Sequence, residues 1–126
     1  MIDHVSLQVR DLGAATAFYA AVLAPLDYRL LVERETQAGF GKRYPEVWLN
    51  ARPNEPHASP DTGGHLCLRA RDEAEVAAFH AAALAAGGTD DGAPGPRSAA
   101  LTPYFAAFVR DLDGNRLEAA CFPPPS

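Results

Sequence analysis

Residues 4–11 read HVSLQVRD and residues 65–72 read HLCLRARD. Laying residues 4–27 over residues 65–88, an offset of 61 with no gap, makes ten of the 24 pairs identical. Four of the ten are alanines, which an Ala-rich chain supplies cheaply. The matches His4/His65, Leu7/Leu68, Arg10/Arg71, Asp11/Asp72 and Phe18/Phe79 are not cheap, and they share one register. The chain therefore reads as a duplicated module.

Each copy opens with a strand. In residues 3–10, Val5, Leu7 and Val9 share one face, and His4, Ser6 and Gln8 the other; in residues 64–71, Leu66, Leu68 and Ala70 oppose His65, Cys67 and Arg69. Because successive strand side chains point to opposite sides, each histidine falls on the less apolar face. A helix follows each strand. Asp72 with Glu75 three residues on resembles a capping box, Val76, Phe79, Ala83 and Leu84 form an apolar stripe, and Gly87-Gly88 stop the helix. In the first copy Asp11 is the expected cap, Phe18, Val22 and Leu23 the stripe, and Pro25 the early stop. Further strands are expected over 28–34, 36–41 and 46–51, and over 104–110 and 115–122, with Asp113-Gly114 as a hairpin turn. Residues 87–103, rich in Gly and Pro, read as a long irregular stretch of the kind that forms binding loops.

The 126 residues amount to one domain: module one over about 1–52, a Pro/Asn/Asp/Gly-rich linker over about 53–63, module two over about 64–122, and a Pro-rich tail, 123–126, expected to fray. A net charge of −5 argues against a nucleic-acid partner, which needs a basic patch. No run approaches the ~18 apolar residues of a membrane helix, and the N-terminus lacks the pattern of a signal peptide. Two cysteines make neither a disulfide scaffold nor a zinc ribbon, so a reducing, cytoplasmic setting is expected.

The chemistry concentrates on three residues. On strand 115–122, Leu117, Ala119 and Cys121 form the apolar face, so Glu118 points the other way, beside Arg116 and Ala120. A carboxylate among alanines and leucine is costly unless solvated, paired or metal-bound. His4 and His65, at equivalent positions of a repeat, are expected to converge on it across a concave cleft. Two imidazoles and a carboxylate suit a divalent Fe, Mn, Zn or Ni ion with positions left open for substrate oxygens. The plainer reading makes His4 an ordinary strand histidine and pairs Glu118 with Arg116 or another base. Trp48, Tyr104 and Phe108 are candidates to wall the cleft, with Cys67 as a further lining residue and Arg69 and Arg116 as candidate grips for an anionic substrate; aromatics at strand spacing are as often core, and exposed arginines are usually just solvated. His57 reads as a solvated linker residue, His80 as a packing or surface residue of its helix, and Cys121 as inert core.

These residues resemble the vicinal oxygen chelate superfamily, which contains glyoxalase I, extradiol dioxygenases, fosfomycin-resistance proteins and bleomycin-binding proteins. The resemblance lies in residues 4–11, in residues 64–68 (GHLCL), and in residues 108–118 (FVRDLDGNRLE), which are similar to the family's Asp-Pro-Asp-Gly-Asn-x-x-Glu signature with Leu112 in place of the proline. It implies an α+β fold of two βαβββ modules, their mixed sheets forming a half-open barrel around a cleft with the helices outside. Position by position, His4, His65 and Glu118 match three metal ligands. The fourth ligand of glyoxalase I falls on residues 46–50, where Trp48 takes the position and Glu46 lies two residues away on the same face; Glu46 is the candidate base. That departure favours a three-ligand site.

Two functions are carried forward: a metal-dependent enzyme (lyase, isomerase or dioxygenase) whose substrate chelates the ion through neighbouring oxygens, or a non-catalytic protein that binds or sequesters an antibiotic-like small molecule. A homodimer is expected. The stretches 36–46 and 89–104 should select the substrate, and carry no readable code.

Overall fold

In the computed structural model, which describes residues 1–56, 62–98 and 101–123, the first repeat forms β1 (Val5–Val9), α1 (Leu12–Leu23), β2 (Arg29–Glu33), β3 (Gln37–Gly41) and β4 (Val47–Ala51). The second forms β5 (Leu66–Arg69), α2 (Glu73–Ala85), β6 (Thr89–Arg97), β7 (Tyr104–Arg110) and β8 (Arg116–Cys121). Each repeat builds one four-stranded mixed sheet, in the orders β1-β4-β3-β2 and β5-β8-β7-β6. The opening strand of each repeat runs parallel to its last strand, and the other pairs are antiparallel. The result is an α+β fold of two sheets and two helices that does not close into a barrel among the described residues. No helix among them is long and apolar enough to cross a membrane.

The repeat's aspartates start both helices. Asp11 Oδ1 accepts from the Ala14 N–H at 3.0 Å, and Asp72 Oδ1 from the Glu75 N–H at 2.9 Å. Each satisfies a donor that an α-helix leaves free in its first turn. Glu75 reaches back to the Arg71 N–H at 2.8 Å, one residue before the cap. Pro25 lies in a three-residue 3-10 turn, Ala24–Leu26, that ends α1, and Asp27 then adopts φ +66°. Gly87, at φ +99°, turns the chain out of α2, and the Gly88 N–H closes the end on the Ala83 carbonyl at 2.8 Å.

The apolar faces meet in one core. Phe18, Tyr19, Val22 and Leu23 of α1 and Val76, Phe79 and Ala83 of α2 pack with Phe40, Val47, Leu49, Val109, Leu117 and Ala119 from the sheets. Each large side chain removed from water there contributes roughly 1.5–3 kcal/mol. Leu84, expected in the α2 stripe, is instead 43% exposed, because α2 buries only the side facing α1 and its own sheet. Polar bonds also join the repeats. The buried Tyr19 hydroxyl donates to Asp111 Oδ2 at 2.6 Å, the Arg10 N–H to Asp113 Oδ1 at 3.0 Å, and Asn115 Nδ2 to the Gln8 carbonyl at 3.0 Å. Asp111 organises the turn as well, accepting from the N–H groups of Asp113 and Asn115.

The irregular stretch expected over 87–103 is corrected. Its first part is β6, nine residues at the margin of the second sheet. Two register shifts interrupt its pairing with β7, between Asp90 and Gly92 and between Gly92 and Gly95. Pro94 and Pro96 are tolerated because a marginal strand needs donors on one side only.

Candidate functional site

Alternation along three neighbouring strands builds the site. Val109, Leu117 and Ala119 face the core, so Phe108, Arg116 and Glu118 face the opposite side of the second sheet. Register places Cys67 beside Glu118 and Glu118 beside Phe108. Glu118 is 4% exposed, and its burial is balanced by polar neighbours, the nearest of which is His65, whose Nε2 lies 2.9 Å from Glu118 Oε1. The Phe108 ring is 5.8 Å from the His65 ring. Although Cys67 is exposed as a whole, desolvation of its sulfur, then the Glu118 charge and a hydrogen bond to it, push the thiol up to about 12.

Charge gathers on one flank. Arg116 Nε lies 2.7 Å from Asp91 Oδ2, and Arg110 Nε 3.7 Å from Asp91 Oδ1. The guanidinium carbons of Arg97 and Arg116 sit 5.7 Å and 6.0 Å from the Phe108 ring centre. On the other flank Tyr104 stacks on Phe122 at 5.2 Å, and Arg69 lies over Phe122 at 4.4 Å. Tyr104, Phe108, Arg116 and Cys67, expected as substrate contacts, thus all belong to the sheet that carries Glu118.

His4 takes a different position. It precedes β1, is half-exposed, and its Nδ1 lies 2.7 Å from Asp3 Oδ1. It lines a hollow of about 240 Å³ with Tyr28, Glu46, Cys67 and Arg69, whereas His65 lines a separate hollow of about 290 Å³ with Val5, Leu7 and Arg116. A single chain therefore joins His65 to Glu118 and does not add His4: among the described residues no three His, Cys, Asp or Glu side chains are grouped to hold an ion. The physical reason is the packing between repeats. They meet through α1 against α2 and through the Asp111 turn, which fixes where β1 lies relative to β5.

Glu46 lies beside His4, since the Val5–Val47 pair of the parallel β1–β4 ladder continues one residue back to them. The Tyr28 hydroxyl donates to Glu46 Oε2 at 3.2 Å, and burial followed by the Glu46 charge raises the Tyr28 pKa. Trp48 belongs to the first sheet, paired with Ser6 and stacked under Arg34 at 5.4 Å, away from Phe108's sheet. His80 joins α2 to β6 through Asp90 at 2.9 Å. His57 lies outside the described residues. Asp91, Arg97 and Arg110 were not singled out by the sequence reading. Asp91 and Arg97 lie on the stretch whose Gly and Pro content reads as a loop, whereas Arg110 ends the expected strand 104–110 and lies within the signature-like run 108–118.

A family model described as Glyoxalase/Bleomycin resistance protein/Dioxygenase superfamily matches residues 1–119. A glyoxalase/bleomycin resistance protein from Albidiferax ferrireducens T118 is 30% identical, with 95% of this chain and 98% of that one covered and a TM-score of 0.85. A glyoxalase/bleomycin resistance protein/dioxygenase family enzyme from Burkholderia phytofirmans PsJN is 18% identical over 95% and 97% of the two chains, with a TM-score of 0.72. The genomically encoded fosfomycin resistance protein of Listeria monocytogenes is 16% identical over 98% and 94%, with a TM-score of 0.70. At the two lower identities the likeness is one of fold.

Proposed function

The chain belongs to the Glyoxalase/Bleomycin resistance protein/Dioxygenase superfamily, and on that premise we propose that it is a divalent-metal-dependent enzyme acting on a small molecule with neighbouring oxygens. The observation that carries this reading is the His65–Glu118 pair on an open sheet face. Two donors bound at right angles to one ion at ~2.1 Å lie about 3.0 Å apart; Nε2 and Oε1 are 2.9 Å apart. The pair fits a shared ion of the Fe, Mn, Zn or Ni type. The third ligand is His4 of a second copy of the chain, which makes the active form a homodimer with sites shared between copies. Its exposed position at the start of β1 leaves it accessible to such a partner.

Bound there, the ion supplies Lewis acidity toward a substrate oxygen. The chain's own groups do the rest. Glu118 and His65 fix one side of the site, and Phe108 covers the His65 ring. Glu46 travels with His4 on the same sheet and is the candidate base, its carboxylate positioned by Tyr28. The reactions open to such a site are lyase, isomerase and ring-cleaving dioxygenase chemistry.

A second reading is non-catalytic binding of an antibiotic-like molecule. It is favoured by the His65–Glu118 hydrogen bond, which satisfies the buried carboxylate with no ion, and by the aromatic side chains, Phe108 and Tyr104, carried on the same sheet. Metal analysis separates the two. The enzyme reading expects protein purified without added metal to take up Mn, Fe, Zn or Ni stoichiometrically, and expects His65→Ala and His4→Ala each to abolish uptake. Mixing the two variants should restore about a quarter of the sites, those of mixed dimers with one intact cleft. No uptake by the unaltered protein refutes the metal reading; no restoration on mixing refutes the shared site.

A further inference from the structure

Arg97 is held as if prepared for a ligand. Its Nη2 donates to the Ala93 carbonyl at 2.7 Å and its Nη1 to the Pro96 carbonyl at 3.3 Å, so its own strand fixes the guanidinium. The glycines of β6 make the room. A Cβ on Gly92 would stand 3.3 Å from Arg97 Nη2 and 3.2 Å from Phe108 Cδ1, and one on Gly95 3.3 Å from Arg97 Nη1. The side chain of Arg97 thus packs closely against the backbone of Gly92 and Gly95, with its guanidinium over the Phe108 ring. Among the described residues no carboxylate lies within 4.0 Å of Arg97, whereas Arg110 and Arg116 share Asp91. Around Phe108 the guanidiniums of Arg97, Arg110 and Arg116 outnumber the carboxylates of Asp91 and Glu118, in a chain whose net charge is −5. A half-buried guanidinium with N–H groups to spare matches carboxylate or phosphoryl oxygens bidentately, and the local positive field favours such a ligand.

We infer that Arg97 selects an anionic ligand for this cleft: a small organic acid whose carboxylate or phosphoryl group takes Arg97 while its remaining oxygens reach the His65–Glu118 end. The inference rests on reading the cleft as a small-molecule site. Register also sets the size. Glu118 pairs with Phe108, and Phe108 with Gly92. Two strand spacings therefore separate the carboxylate from the seat of Arg97, ~10 Å in all. A molecule spanning them has the dimensions of a single ring with short substituents.

The test is calorimetric titration of the full chain with benzoate, phenyl phosphate and, as the neutral control, benzyl alcohol, each in EDTA and in Mn(II), at low ionic strength. At least one anion should bind more tightly than benzyl alcohol under both conditions. Arg97→Gln should weaken that anion about tenfold, and Arg97→Lys, which keeps the charge but loses the planar fork, should recover part of the loss. If Arg97→Gln does not fold, amide shift mapping on the unaltered protein takes its place: shifts centred on residues 92–97 and Phe108 support the inference, and shifts elsewhere overturn it. Equal binding of the neutral control, or undiminished anion binding by Arg97→Gln, also overturns it. Anion binding that depends on Arg97 while no metal is taken up leaves this inference standing and removes the metal reading alone.

Discussion

Tyr19→Phe removes one oxygen from the core and leaves the ring in place. Tyr19 is 1% exposed, and its hydroxyl gives Asp111 Oδ2 a hydrogen bond of 2.6 Å. Asp111 is itself 5% exposed and keeps three other donors: the N–H groups of Asp113 and Asn115 and the Asn115 side-chain amide, at 2.8–2.9 Å. A hydrogen bond to a charged group contributes ~1.5–3 kcal/mol, and removing it leaves a buried carboxylate oxygen under-solvated. With three donors retained, a loss of about 2 kcal/mol is expected. For a domain of this length that corresponds to a Tm lower by roughly 8 °C. Thermal unfolding followed by circular dichroism at pH 7 measures it, with urea unfolding as the check that the midpoint moves and the slope does not. A Tm within about 2 °C of the unaltered protein would refute the view that this bond fastens the first helix to the second repeat's turn.

Two further outcomes follow from the structure. Burial, and then the Asp111 charge, raise the Tyr19 pKa above its ordinary 10.0, while burial and Glu118 raise Cys67 from 9.0 to about 12. In both cases the folded chain keeps a proton that the unfolded chain has lost. The contribution is intact below pH 9 and is lost as pH rises, at up to ~1.4 kcal/mol per pH unit for the buried Tyr19 and at a solvent-screened fraction of that for the exposed Cys67. Urea midpoints from pH 8 to 11 should therefore fall, and Cys67→Ala should flatten the first part of that decline. Asp72→Ala deletes the α2 cap, whose carboxylate accepts from the Glu75 N–H; a loss of about 1 kcal/mol in urea unfolding is expected, with the metal and anion responses unchanged.

Most of the architecture was legible because it was local. Asp11 and Asp72 announce helix starts, Val5, Leu7 and Val9 announce a strand face, and Asp113-Gly114 announces a turn; the coordinates place caps, strand and turn at those residues. β6 escaped because its pattern is broken twice, at Gly92 and Gly95, and Gly92 takes φ +152°. No period survives two such interruptions. Leu84 was misplaced for a related reason: helical spacing defines a stripe, but the neighbours that are present decide how wide it is. The face of His65 and Glu118 could be read from alternation on their own strands. Whether His4 reaches them depends on how one repeat packs on the other, and no window of sequence encodes that. Asp111 belongs to the signature-like run 108–118, but its bond to Tyr19 joins residues 92 positions apart.

The prolines of β6 have one more consequence. The outer rim of the second sheet ends in a strand that lacks amide hydrogens at Pro94 and Pro96. A strand arriving from another molecule would find gaps in its ladder there, so runaway edge-to-edge polymerisation is blocked on that rim. Any second copy that assembled with this chain would have to use another surface, and the seat of Arg97 would then stay open to small solutes rather than be sealed beneath a foreign strand.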